Sequence, residues 1–358
     1  MKKAGIITIN DNNNYGNRLQ NYAVQTILKK YDVDPKTIID NTIINKIEKI
    51  TLKNLIKKFF RKIKYLVKEI INKKRKQCFS NFNKNISFWN NEINAKFIPE
   101  EINKKFDIFF TGSDQVWNPT FGRESKIYFL SFADRKKRNS ISASFGIKNL
   151  PDEKKEEYKK YLNEMNNISV REYAGKEIIE QLTSRNDVEV LIDPTMMLKA
   201  EEWNKVVIKP VQKIEKKYIL NYFLGKLSKE RESEIERIAK ENDCEIINIL
   251  DVKSKFYQTG PSEFLYLEKN AFLICTDSFH SAIFAIIFNR PFIVFNREDN
   301  LVNMNSRLET LLSKFKLEDR YYKGKITKEY LDINYENTYK ILKQEREKFN
   351  NFIKKCFN

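Results

Sequence analysis

Residues 271–296 read AFLICTDSFHSAIFAIIFNRPFIVFN. A short apolar run, AFLICT, is broken by a polar Thr-Asp-Ser. A longer apolar run follows, and Asn-Arg-Pro closes it before PFIVFN. Runs of four to eight apolar residues suit strands buried on both faces, and the longer middle run has helical length. The stretch is therefore a β-α-β unit, the repeating piece of a parallel sheet covered by helices. His280, the only histidine of 358 residues, stands at the strand-to-helix junction. Asp277 or Ser278 is a good N-cap for that helix. The free N–H groups and dipole of such an end favour an anion. A lone histidine is by default a satisfied core residue, but this position favours a functional one.

The same alternation extends outward. Strand patterns fall at 4–9, 106–112, 140–146, 168–172, 188–193, 217–225, 245–250, 271–276 and 291–296. Helical patterns fall at 17–30, 46–76, 154–166, 172–183, 228–242, 261–269, 279–289 and 304–315. So many strands exceed one sheet of usual size, and the length suits two domains. The expected fold is α/β, with two Rossmann-like doubly wound domains. The division is expected near 190–212, with IDPTMMLKAEEW as the crossing. That gives a first domain of 1–190 and a second of 191–334. A long helix, 335–356, closes the chain within segment 335–358 and is a candidate to return to the first domain.

Composition narrows the function classes. Hydrophobic residues are 41% and aromatics 13%, which marks a globular chain. No apolar stretch has membrane-spanning length. The opening MKKAGIITIN lacks a signal-peptide apolar region and reads as a first strand. Cys78, Cys244, Cys275 and Cys356 show no paired spacing, so neither a zinc site nor a disulfide framework is expected, and a cytoplasmic setting fits. No metal or cofactor is expected. The net charge of +18 is concentrated in residues 46–76, where 13 Lys or Arg face only Glu48 and Glu69. Leu52, Leu55, Ile56, Phe59, Ile63, Leu66, Val67 and Ile70 recur there at helical spacing. One reading is a packed amphipathic helix with a solvated basic face. The other is peripheral contact with an anionic membrane or an acidic acceptor. Nucleic acid is not expected, since no such motif is present.

Three further motifs sit where strands end, the edge at which open α/β sheets bind ligands. IITINDNNNYGNRLQNYAVQ (6–25) is a strand, an Asn-rich loop and a helix. It lacks the G-x-G-x-x-G fingerprint, and a polar turn with a capped helix accounts for it on composition. In TGSDQVWNP (111–119), Asp114 is a candidate base or anchor and Trp117 either stacks on a sugar or fills the core. SVREYAG (169–175) places Arg171 at a strand end, where a guanidinium can grip a carboxylate or phosphate. NMNSRLETLL (303–312) adds Arg307 at a helix start.

In combination, NYGNRLQNYAVQ, FTGSDQVWNP, SVRE, LIDPTMML, TDSFHSAIFAIIFNRPFIVF and NSRLETLL resemble the polysaccharide pyruvyl transferase family, in the expected order over about residues 4–315. The resemblance implies a GT-B-like pair of domains facing a cleft. It implies phosphoenolpyruvate as donor, with pyruvate joined as a ketal to a sugar of a cell-surface glycan, such as a capsule, or its lipid-linked precursor. It makes His280 the general acid, a role that typically contributes 10²- to 10⁴-fold, about 3–5 kcal/mol. Arg171 would bind the donor, and Asp114 is a candidate base for the attacking hydroxyl. The first loop, with Asn14, Tyr15, Asn17 and Arg18, and the second, with Trp117 and Asn118, would face the acceptor. One departure stands out: some members carry Arg-Leu-His where this chain has Ser278-Phe279-His280. The donor set is then Arg171, Ser278, Phe279 and Arg307, with Arg307, or Arg290 or Arg297, replacing the missing cation. Competing readings are a glycosyltransferase of the same architecture that uses a nucleotide sugar, and a non-catalytic basic module acting through 46–76.

Overall fold

The computed structural model describes residues 1–42, 72–123, 125–297 and 306–358. The basic segment anticipated at 46–76 lies outside the described residues up to 71. Its last residues belong to a helix over 72–83.

Two parallel sheets carry the fold. The first has seven strands: β1 (Lys2–Ile7), β2 (Val33–Asp40), β3 (Phe88–Ile93), β4 (Ile108–Asp114), β5 (Arg138–Ala143), β6 (Ser169–Val170) and β7 (Glu189–Val190). Their spatial order is β3-β2-β1-β4-β5-β6-β7, every pairing parallel. The second has four: β8 (Tyr218–Tyr222), β9 (Glu245–Asn248), β10 (Leu273–Thr276) and β11 (Phe292–Val294), in the order β11-β10-β8-β9. Each sheet reverses its direction of growth once, between β1 and β4 in the first and between β8 and β10 in the second. Such reversals open crevices at the carboxyl ends of the strands. The opening stretch folds as the β10-helix-β11 unit, its helix running Phe279–Ile287.

β2 and β3 were not anticipated from sequence. β2 carries Pro35 and charged residues, and β3 is an edge strand, FWNNEI, exposed along its middle. Polar edge strands lack the apolar pattern by which strands are recognised. β4 and β5 show the opposite: all their residues are buried, the serines included. Ser140 Oγ donates to Ser169 O at 2.9 Å and Ser142 Oγ to Ile192 O at 2.7 Å, so buried hydroxyls satisfy one another's backbone.

One apolar cluster spans both sheets, joining Ala4, Ile6 and Phe110 of the first to Leu220, Ile274 and Phe292 of the second. The final helix, Glu336–Phe357, touches both halves. Tyr335 Oη, just before it, donates to Arg290 O, Arg346 donates to Met196 O, and Lys2 Nζ donates to Phe357 O at 2.9 Å.

Candidate functional site between the two sheets

The loop after β1 leads into the helix Tyr15–Lys29, called αA below. Asn14 caps it in extended conformation, its side chain accepting from Asn17 N. The loop after β10 leads into Phe279–Ile287. Ser278 occupies that N-cap without any side-chain cap hydrogen bond, and its own N–H donates to Thr276 Oγ1. The two helix ends meet. An added Cβ at Gly16 would lie 2.1 Å from His280 Nδ1, so only glycine lets αA approach the imidazole so closely. Both positive dipole ends thus border one spot.

His280 is 7% exposed. Its Nε2 faces Asp193 Oδ2 at 3.7 Å. Asp193 is fully buried and collects donors: Arg171 Nη1 at 2.8 Å, Ser113 Oγ at 2.9 Å, and both Thr195 N and Thr195 Oγ1 on its other oxygen. Burial pushes its pKa up, but His280, Arg171 and Thr195 outweigh burial and hold the carboxyl well below the usual range. Arg171 Nη2 also approaches Asp114 Oδ1 at 3.4 Å. Asp114 is depressed too: burial opposes charge there, and Arg171, His280 and Arg307 prevail. Asp114 sits at φ 75°, a left-handed conformation that Asp tolerates better than most residues. Arg171 stays firmly charged, because Asp193, Asp114 and Glu172 overcome its burial.

Phe279 is the platform between the halves. Arg171 Cζ lies 4.4 Å from its ring centroid and Arg307 Cζ 5.7 Å, both in cation–π range. Burial and the like charge of Arg171 pull Arg307 down to about 10. His280 Nε2, Arg171 Nε and Arg307 Nε are buried with no hydrogen-bond partner among the described residues. Buried donors are ordinarily satisfied, and the two guanidinium Nε–H groups beside this ring are free to meet acceptor oxygens, while His280 Nε2 faces Asp193. Ahead of αA a cavity of about 350 Å³ is lined by Ile9, Asp11, Asn14, Asn17, Asp114, Gln115, Phe121 and Arg123. It shares Ile9, Asp11 and Arg123 with a larger cleft, about 600 Å³, that also meets Asp40, Phe88 and Glu92.

The structure thus brings together His280, Arg171, Asp114, Phe279 and Arg307, with Ser278 at the helix end. Arg297 pairs with Asp277 at 3.2 Å, and its like charge also acts on Arg307; the carbonyl of Arg290 is bound by Tyr335.

Three acceptor-side expectations are corrected. Trp117 is 0% exposed, stacked on Phe129 at 4.9 Å with Nε1 donating to Tyr128 O, so no ring face is offered to a sugar. Tyr15 is wedged between Phe79 and Phe264 with its hydroxyl on Thr259. Asn118 caps a short 3-10 turn and donates to Gln115 Oε1. Asn17 remains at the cavity with an unpartnered buried Oδ1, and Arg18 lines the larger cleft while holding Ile9 O and Asn10 Oδ1.

Asp193 and Gly16 were missed as site residues. Asp193 lay within a quoted motif, and its signal was the acid preceding Pro194 at the crossing between sheets. Among the described residues there is no cluster of metal-ligating side chains and no helix long and apolar enough to cross a membrane.

Comparison with known proteins agrees with this architecture. A putative UDP-N-acetylglucosamine 2-epimerase from Listeria monocytogenes superposes with a TM-score of 0.50 at 11% identity, over 100% of this chain and 97% of that one. UDP-GlcNAc 2-epimerases from Methanocaldococcus jannaschii (TM-score 0.49, 15% identity, 96% of this chain and 92% of that one) and Neisseria meningitidis (0.48, 11%, 98% and 94%) also align. At 11% identity the likeness to the Listeria protein is one of fold, the GT-B-like pair of Rossmann-like domains. No curated protein matches the sequence. The family model described as polysaccharide pyruvyl transferase matches residues 14–300, which include both facing helix ends, Asp193 and His280, and the chain belongs to that family.

Proposed function

We propose that the protein transfers pyruvate from phosphoenolpyruvate to two hydroxyls of a sugar, forming a ketal on a cell-surface glycan or its lipid-linked precursor. The observation that carries this reading is the pair of buried guanidinium donors without a hydrogen bond on Arg171 and Arg307, around Phe279 and beside His280, at a helix end left uncapped by its own side chain. Phosphoenolpyruvate bears a carboxylate and a phosphate on one carbon of a small molecule. Two guanidiniums and helix-end amides match that charge pattern.

In the reaction, the proton of His280 passes to the methylene carbon of the enol phosphate, and electron deficiency develops at the neighbouring carbon. One sugar hydroxyl adds there, the C–O bond to phosphate breaks, and the second hydroxyl closes the ring. Of the two hydroxyl protons released, one restores His280 and the other leaves with phosphate. Asp193 orients the imidazole from 3.7 Å. Asp114 is held too acidic to be a strong base, and in this scheme it orients the attacking hydroxyl. The acceptor lies in the polar cleft along the carboxyl ends of β1 to β3, where Phe88 and the amides of Asn10, Asn12 and Asn41 suit a sugar.

The test is direct. Phosphoenolpyruvate should raise the melting temperature, and phosphate should be released from it only with a suitable sugar present. His280→Ala should lower that release about 10²- to 10⁴-fold while the protein stays folded. Stabilisation by nucleotide sugars and not by phosphoenolpyruvate would overturn the donor assignment.

A further inference from the structure

Arg75 belongs to none of the motifs above, yet it is 3% exposed and lies on the seam between the halves. It is carried by the helix 72–83, which follows β2 in the chain. Its Nη2 donates to Asn13 O at 3.1 Å, and its Nη1 donates to the Tyr15 hydroxyl, to Tyr257 O at 2.9 Å and to Thr259 O at 3.4 Å. The guanidinium carbon sits 4.6 Å from the Tyr15 ring centroid and 5.2 Å from those of Phe79 and Tyr257. These partners are carbonyls, a phenol and aromatic faces. A cation buried on such partners stays in place only where several acceptors would otherwise be orphaned.

The partners fall on opposite sides. Asn13 precedes the cap of αA and Tyr15 begins the helix, which belongs with the first sheet. Tyr257 and Thr259 precede the helix Pro261–Asn270, which belongs with the second. Beside Arg75 the helix 72–83 makes two further contacts with that segment: Tyr257 Oη donates to Asn72 Oδ1 at 2.6 Å, and a Cβ on Gly260 would come within 2.7 Å of Cys78 Cβ. Gly16, the residue after Tyr15, is the one pressed against the His280 ring.

We propose that Arg75 is a positioning residue for the donor site. By tying the first residues of αA to residues 257–259, it fixes the separation between the αA end and His280. Phosphoenolpyruvate then meets the cations of both halves in register. This inference rests on the donor assignment above, and its test separates the two.

Phosphoenolpyruvate affinity is measured by calorimetry for the full chain, Arg75→Met, Arg75→Lys and Arg138→Met. Arg138 is a buried arginine, bound to Glu164, Ala133 O and Ser131 O, at the start of β5 and so at the other end of the strand from the site. Alkylation of half-buried Cys78 by iodoacetamide is followed in parallel, with Cys244 as internal reference. Arg75→Met should weaken the donor about tenfold or more and speed Cys78 alkylation several-fold relative to Cys244. Arg75→Lys should fall between, and non-denaturing guanidinium should restore part of the affinity lost in Arg75→Met. Arg138→Met should lose stability while keeping both readouts. Wild-type affinity in folded Arg75→Met, or an equal loss in Arg138→Met, would overturn the proposal. Should Arg75→Met not fold, Arg75→Lys decides by the same criteria. If the wild-type chain does not bind phosphoenolpyruvate, the donor assignment fails, and an unchanged Cys78 rate in Arg75→Met would still overturn the positioning role.

Discussion

The two helix ends that meet at the site are built by the same strand-loop-helix plan and finished differently. At αA the N-cap side chain turns inward, and Asn14 satisfies the Asn17 amide. At Phe279–Ile287 the cap hydroxyl of Ser278 makes no such bond, while the preceding acid, Asp277, accepts from Leu224 N and Gly225 N of the neighbouring strand's loop. One end is closed by its own cap side chain, and the other is left open, as the proposed anion site requires. The difference teaches that a cap residue read from sequence does not say whether the cap is used.

The comparison can be broken most severely through the cation between the ends. Arg171→Met removes the partner of two buried carboxylates and should cost about 3–5 kcal/mol in denaturant unfolding. The pH profile gives a sign. Asp193 has a folded pKa below its unfolded one, so its contribution is complete above about pH 4 and is lost as pH falls toward the depressed value. Without Arg171 that depression shrinks, and the variant should lose less stability between pH 4 and lower pH than the wild type does.

A smaller intervention separates the ends themselves. Gly16→Ala sets a methyl group against the His280 ring, and either the ring or αA must move. Turnover should fall about 100-fold, the scale of an ångström's misplacement, with a loss of about 1–3 kcal/mol from overpacking. Unchanged turnover would mean that the close approach is unnecessary. The smallest effect sharpens the contrast most. Asn14→Ala should cost about 1 kcal/mol, whereas Ser278→Ala should stay within about 0.5 kcal/mol of wild type. Equal costs in thermal unfolding would erase the distinction between the closed and open ends.

Much of the first sheet was legible because β1 and β4 are continuous apolar runs between polar loops. β3 was not, since FWNNEI lies on an edge and its side chains answer to water. At the site, His280 and Arg171 were singled out by position, each at the carboxyl end of a strand pattern where a helix begins, although a core histidine and a surface arginine are the ordinary readings of such residues. Trp117 and Tyr15 misled for the converse reason. An aromatic in a polar loop serves a core as well as a sugar, and only the rings around it decide, here Phe129 for one and Phe264 for the other. Asp193 went unassigned because its importance comes from partners 22 and 80 residues away in sequence, Arg171 and Ser113.

The stack of Arg171, Phe279 and Arg307 joins side chains from both halves on one ring. Under the proposed function, recognition of the donor is a joint property of the two lobes. A hybrid molecule pairing either lobe with a counterpart from a distant relative would inherit a sound scaffold and lose its discrimination among small anions, unless the aromatic and both of its guanidinium neighbours were transplanted together.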